Sequence, residues 1–212
     1  MTASTDARAS PLAAWQARFA AASATPGRFS IRELAFGTQI DVRGDARDPG
    51  FARAALEALG FAWPQAPNTW AGRPDCAALW LGPDEWLVTA AHGRARELCA
   101  ALASRLAGTH HAVTDVSAAR AAIELAGDDA RSVLAKGCAL DLHARAFAPP
   151  QCAQSLLARA QVIVQCVSDR PVFRLYVRRS FAGYLAAWLL DAASETRASL
   201  ALDAERLAAH LR

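Results

Sequence analysis

Ile40-Asp41-Val42-Arg43-Gly44-Asp45 and Ile123-Glu124-Leu125-Ala126-Gly127-Asp128 read as one element written twice. Each sets apolar residues two apart, as a strand does, then stops at glycine and opens a helix at aspartate. The elements downstream of each copy come in the same order. After the first, Asp48-Pro49 signals a helix start, and Phe51, Ala55, Leu56 and Leu59 mark a face that Gly60 closes. A Pro-rich connection (Pro64, Pro67, Pro74) leads to an apolar hairpin, Leu79 to Val88, turned by Gly82-Pro83-Asp84. Residues 94–107 then read as a helix, with Leu98, Leu102 and Leu106 on one side and Gly108 as its stop.

After the second copy, a helix from Asp128-Asp129 ends at Lys136-Gly137, where the lysine faces the negative end of that helix. Pro149-Pro150 precedes strands at about 153–167 and 172–178, with Asp169-Arg170-Pro171 as the turn. A helix begins at Phe181, with Phe181, Leu185, Trp188 and Leu189 on one face. Both halves read β-α-β-β-α, which predicts an α+β protein of two similar, ferredoxin-like lobes, 29–109 and 110–193. A single larger mixed sheet is the alternative, and the strand orders of the two halves decide between them. An N-terminal arm (1–28) carries a short helix over 11–23, with Ser10 as cap and Leu12, Trp15 and Phe19 on one face. It ends at Thr25-Pro26-Gly27. Residues 194–212 form a C-terminal tail, either a weak docking helix or a frayed end.

Composition narrows the function classes. The 212 residues are 53% hydrophobic and 20% charged, as in an ordinary folded chain. The net charge of +3 is too small to imply nucleic acid or an anionic membrane as partner. Five cysteines, an odd number with no C-x-x-C spacing, suit a reduced cytoplasm. No apolar run approaches the roughly 20 residues of a membrane span, and Gln16 and Arg18 interrupt what would be the apolar part of a signal peptide.

No segment carries a catalytic pattern. His110-His111 point to opposite faces of an extended chain, and no third metal ligand has a matching spacing. Cys138, Asp141 and His143 are too close in sequence to converge as nucleophile, orienter and base. Asp84 and Glu85 sit on a turn, where a solvated pair is the ordinary reading and a salt bridge to a partner protein the functional one. Phosphate-binding glycine loops are absent. Interface chemistry is better represented. Alternation along Phe173–Arg179 puts Arg174, Tyr176 and Arg178 on one face, either the solvated side of a half-buried strand or a surface for a partner subunit, where this composition is common. Trp63 and Trp70, in the Pro-rich connection, are candidates either for the same use or for the core.

Several motifs, in this order, resemble the gamma subunit of heterotetrameric sarcosine oxidases. They are Pro67-Asn68-Thr69, Leu79–Val88 with Gly82, Pro83, Asp84 and Trp86, Asp115-Val116-Ser117, and Leu134–Leu142 with Gly137, Cys138 and Asp141. Arg145-Ala146-Phe147, Cys152-Ala153-Gln154 and Arg178–Ala182 with Arg179, Ser180 and Phe181 complete the series. Ala139 stands where the family pattern has proline, and Gly183 where it has aspartate. The resemblance implies a non-catalytic subunit in a complex that oxidatively demethylates sarcosine to glycine, passes the one-carbon unit to tetrahydrofolate and yields hydrogen peroxide. It implies alpha, beta and delta partners holding FAD, FMN, NAD, tetrahydrofolate and zinc, and no cofactor here. The fold would be similar to the folate-binding region of the glycine-cleavage T-protein. A free-standing folate-binding protein of that kind, or a small RNA-binding module, are the alternatives.

Overall fold

The computed structural model describes residues 9–23 and 27–194. Thr25 and Pro26 of the expected break, residues 1–8 of the arm and 195–212 of the tail lie outside the described residues. Among the described residues, ten strands form two five-stranded antiparallel sheets. They are β1 (Ser30–Glu33), β2 (Thr38–Gly44), β3 (Trp70–Arg73), β4 (Cys76–Gly82), β5 (Glu85–Ala90), β6 (His111–Asp115), β7 (Arg120–Ala126), β8 (Cys152–Leu157), β9 (Ala160–Ser168) and β10 (Val172–Arg178). The helices are α1 (Gln16–Ala22), α2 (Pro49–Leu59), α3 (Ala95–Arg105), α4 (Ala130–Ala135) and α5, which covers 182–194.

The first sheet runs β3-β4-β5-β2-β6 and the second β8-β9-β10-β7-β1. The two orders correspond strand for strand, so the duplication inferred from the two Gly-Asp segments is present in the topology. The registers agree as well. Ile40 faces Val88 and Val42 faces Trp86, while Ile123 faces Leu175 and Leu125 faces Phe173.

Two expectations change. Each half has three strands after its first helix, not two: β3 emerges from the Pro-rich connection, and 153–167 divides into β8 and β9 at Ala158, which takes a left-handed φ of 52°. The outermost strands are also exchanged. β1, assigned from sequence to the lobe 29–109, pairs with β7; β6, assigned to 110–193, pairs with β2. In this arrangement each outer strand covers the edge of N–H and C=O groups that β2 or β7 would otherwise present.

The molecule has four layers. α2 and α3 cover one face of the first sheet, around Phe51, Trp63, Trp86, Leu98 and Leu102. α1, α4 and α5 cover the corresponding face of the second, around Phe19, Ile123, Phe173, Leu185 and Leu189. The remaining faces meet each other through Trp70, Leu79, Leu81, Leu87, Ala122, Cys152, Ile163 and Tyr176. Burial on both sides explains why the central strands read as continuous apolar runs.

Local signals set the helices. Asp48 accepts from the backbone N–H of Gly50 (2.7 Å) and Phe51 (3.0 Å), Pro49 takes the first turn, and Gly60 ends α2 at φ 82°. Gly44 has no room for a side chain, since a Cβ would lie 2.1 Å from the Phe51 ring. In α2 the buried face uses Ala54, and Leu56, expected inside, is 59% exposed. In α5 the buried face begins at Ala182, and Phe181, also expected inside, is 43% exposed. Lys136 is the C-cap residue of α4, where the sequence places it, and its Nζ donates to the carbonyl of Ala192 in α5. The arm opens with a 3-10 turn, Ala13–Trp15, before α1, and Ser10 Oγ accepts from Leu12 N–H at 2.9 Å.

Candidate functional site

Three of the sequence motifs converge where the sheets join. Thr69 and Gln151 form an isolated antiparallel bridge. Around it, Trp70 N–H donates to Pro150 (2.8 Å) and Cys152 N–H donates to Asn68 (2.8 Å). The side chains repeat the reciprocity: Trp70 Nε1 donates to the carbonyl of Cys166 (2.8 Å), and the Cys152 thiol to that of Thr69 (3.2 Å). Gln154 Nε2 reaches the Leu81 carbonyl at 2.9 Å. Pro67–Thr69, Leu79–Val88 and Cys152–Gln154 therefore fix one lobe to the other. A local two-fold relation runs through this bridge.

The Leu79–Val88 hairpin also forms a wall of a surface cleft of about 880 Å³, together with the β2–α2 turn and the start of β6. Its turn is Pro83-Asp84, as the sequence predicts. Trp80 and Trp86 face each other across the ladder. Trp86 is 1% exposed, donates from Nε1 to Pro64 (2.9 Å) and lies 5.3 Å from Trp63 and 5.5 Å from Phe51, ring centre to ring centre.

The charges of the cleft are paired within it. Arg43 reaches Glu85 at 2.8 Å and Asp84 at 3.7 Å. Arg47 bonds Asp45 at 2.9 Å, and that hydrogen bond holds the Asp45 carboxyl below its usual range. His111 Nδ1 sits 3.0 Å from the carbonyl of Thr109. Among the described residues no group of three metal-ligating side chains comes together.

The other motifs are structural joints. Asp115 accepts from Ser117 N–H (2.9 Å), and Ser117 Oγ accepts from Gln39 N–H (3.0 Å), which holds the end of β6 to β2. Gly137 passes under Trp188, where a Cβ would lie 2.5 Å from the indole. Cys138 bridges to Leu157. Asp141 accepts from His143 N–H at 2.9 Å, and His143 Nδ1 accepts from Arg145 N–H at 3.2 Å. That histidine is occupied by its own loop and is no base for Cys138. Arg179 donates to the carbonyl of Ala9 at 2.8 Å, tying β10 to the N-terminal arm. Ser180 is exposed beside it, and Phe181 makes an edge contact with Tyr184 at 6.3 Å.

The five interface candidates separate sharply. Trp63 is buried under α2, its Nε1 donating to Phe51 (3.1 Å), and Trp70 is buried between the sheets. Tyr176 is buried with its hydroxyl 3.0 Å from Gln165 Oε1. Arg174 pairs with Glu124 at 3.0 Å and donates to the Pro74 carbonyl. Of the five, Arg178 alone is exposed. The alternation along β10 is as expected, but sheet-on-sheet packing covers most of the face assigned to solvent or partner.

Glu124 and Gln165 are polar residues of the interior that sequence reasoning missed. Glu124 holds Arg174 and Arg32, the latter through Nε at 2.8 Å. Both break otherwise apolar strand runs, and that is the signal by which they could be found. Cys76, Cys152 and Cys166 are buried free thiols. Burial raises all three, Cys152 to about 12.

The chain is 40% identical to a sarcosine oxidase subunit gamma of Corynebacterium sp. (strain P-1) over 193 residues, 91% of this chain and 93% of that one. It is 38% identical to the Arthrobacter subunit over the same shares. A chain of the heterotetrameric sarcosine oxidase of Corynebacterium sp. U-96, solved in complex with pyrrole 2-carboxylate, superposes with a TM-score of 0.82 at 35% identity, covering 89% of this chain and 95% of that one. The aminomethyltransferase T of Bartonella henselae shares the fold, with a TM-score of 0.62 at 17% identity over 81% of this chain and 48% of its own. Residues 43–195 match the model of the sarcosine oxidase gamma subunit family, and with near full-length relatives agreeing, the chain belongs to that family.

Proposed function

We propose that this chain is the non-catalytic gamma subunit of a sarcosine oxidase complex, held with alpha, beta and delta subunits in the cytoplasm. The observation that carries the proposal is the near full-length match to named gamma subunits. The cleft carboxylates are neutralised by Arg43 and Arg47, and the buried thiols are held protonated. Oxidation of sarcosine, transfer of its one-carbon unit to tetrahydrofolate and release of hydrogen peroxide then belong to the partners, which hold FAD, FMN, NAD, tetrahydrofolate and zinc. Permanent assemblies of this kind bury about 2,000–5,000 Å². The exposed tip of the Leu79–Val88 hairpin and its cleft supply part of that surface.

Sarcosine-dependent peroxide production tests the proposal when measured on the isolated chain, on the partners alone and on the reassembled complex. The complex is expected to turn over and the isolated chain to be inactive and to show no tetrahydrofolate binding by calorimetry. Micromolar tetrahydrofolate affinity in the isolated chain would overturn the assignment of folate to the partners.

A further inference from the structure

We infer that Arg120 and Arg178, with Arg179 beside them, form a docking site for a carboxylate-bearing segment of a partner subunit; this rests on the subunit reading above. Arg178 lies directly opposite Arg120 in the β10–β7 ladder. Directly opposed residues place their Cβ atoms about 4.5–5.5 Å apart, and like charges there repel. Neither arginine has a carboxylate at salt-bridge distance among the described residues.

The contrast with the other end of the same face is informative. Four residues along each strand, Arg174 lies opposite Glu124, which neutralises both it and Arg32. There the acid comes from within. At the Arg120–Arg178 end no carboxylate among the described residues pairs with either arginine. A hollow of about 400 Å³ opens instead, with Gln154, Gln161 and Ile163 among its walls and Leu156, 52% exposed, at its rim. An adjoining hollow brings in Arg179 and Asp41, yet Asp41 makes no ion pair with any of the three arginines.

Two opposed guanidiniums beside an exposed leucine match an extended segment carrying aspartate or glutamate next to an apolar side chain. Arginine forms bidentate pairs with carboxylates, and covering the hollow strengthens them. The carboxylate also removes the repulsion, so the pair costs least in the assembled state.

The test uses the complex purified through a tag on this chain, with dissociation followed by mass photometry as salt is raised. The variants are Arg120→Gln and Arg178→Gln, singly and together, with Arg96→Gln on α3 as control. The double variant is expected to bind its partners about tenfold more weakly and to leave the complex at lower salt. Its own melting temperature should be unchanged or higher, because the repulsion is gone. The Arg96 variant should match the unaltered chain. Dissociation of the double variant at the unaltered salt concentration would overturn the inference, and so would a lower melting temperature with assembly intact, which would place the arginines' partner inside this chain. Intact assembly with lost turnover would point to a small carboxylate ligand and overturn it equally. If the unaltered chain brings down no flavin-containing subunit, the proposed function fails and not this surface alone.

Discussion

The two sheets place equivalent positions against each other and fill two of the four central ones with opposite chemistry. Trp70, Leu79, Leu87 and Asp41 of the first correspond by register to Cys152, Gln165, Arg174 and Glu124 of the second. At these positions the first inner face is apolar but for Asp41, and its buried polar groups, Gln39 and Thr89, lie one pair further along. The other carries a buried amide, a tyrosine hydroxyl bound to it and an arginine-glutamate pair. The outer faces diverge far less, with Ile40, Val42, Trp86 and Val88 answered by Ile123, Leu125, Phe173 and Leu175. A duplicated backbone thus needs matching helix-facing cores, while the surface between its copies is free to specialise. That freedom gives the two lobes different stabilities to substitution.

The largest effect is expected where the lobes agree. Trp86→Ala and Phe173→Ala each remove a fully buried ring from an equivalent position and should cost about 3–5 kcal/mol in denaturant unfolding. A loss below about 1.5 kcal/mol in only one of them would break the equivalence. The next effect separates the lobes. Glu124→Gln leaves Arg174, a mostly buried cation, without its carboxylate and should cost about 3 kcal/mol. Asp41→Asn, at the matching position, has no ion pair to lose among the described residues and should stay within about 0.5 kcal/mol.

Exchanging residues across the relation sharpens the point. Leu79→Gln buries an amide in an apolar setting and should cost about 3 kcal/mol. Gln165→Leu removes the acceptor of the Tyr176 hydroxyl and should cost about 1–2 kcal/mol, recovered in large part by adding Tyr176→Phe. Equal costs for the two exchanges would mean that the faces are not specialised. The smallest effect is a slope with pH. Cys152 is held at about 12 in the fold, above its unfolded value near 9, so the folded state binds the extra proton. Its contribution is complete below the unfolded value and is lost as pH rises from there toward 12. Cys152→Ala should flatten that alkaline decline in a series of melts.

Much of this is legible in the chain. The Gly44-Asp45 and Gly127-Asp128 pair announces the duplication, Asp48 and Gly60 bound α2, and Pro83-Asp84 turns the hairpin where expected. β3 escapes because four residues between prolines read as connection, which an edge strand tolerates. The β8–β9 turn escapes because Ala158 takes a left-handed conformation with no glycine or asparagine to announce it. Which sheet receives β1 or β6 is a matter of hydrogen-bond partner, and periodicity carries none of that. Trp63 escapes because its loop folds back under α2, and Trp70 and Tyr176 point outward only if each sheet buries one face. Packing sheet on sheet buries two.

The most direct test of the account is to purify the tagged chain from its native cells and record the co-eluting proteins with a visible spectrum. Three further subunits and a yellow flavin absorbance are the expected result, with peroxide released on adding sarcosine. A colourless chain eluting by itself, from cells that oxidise sarcosine, would contradict the central claim.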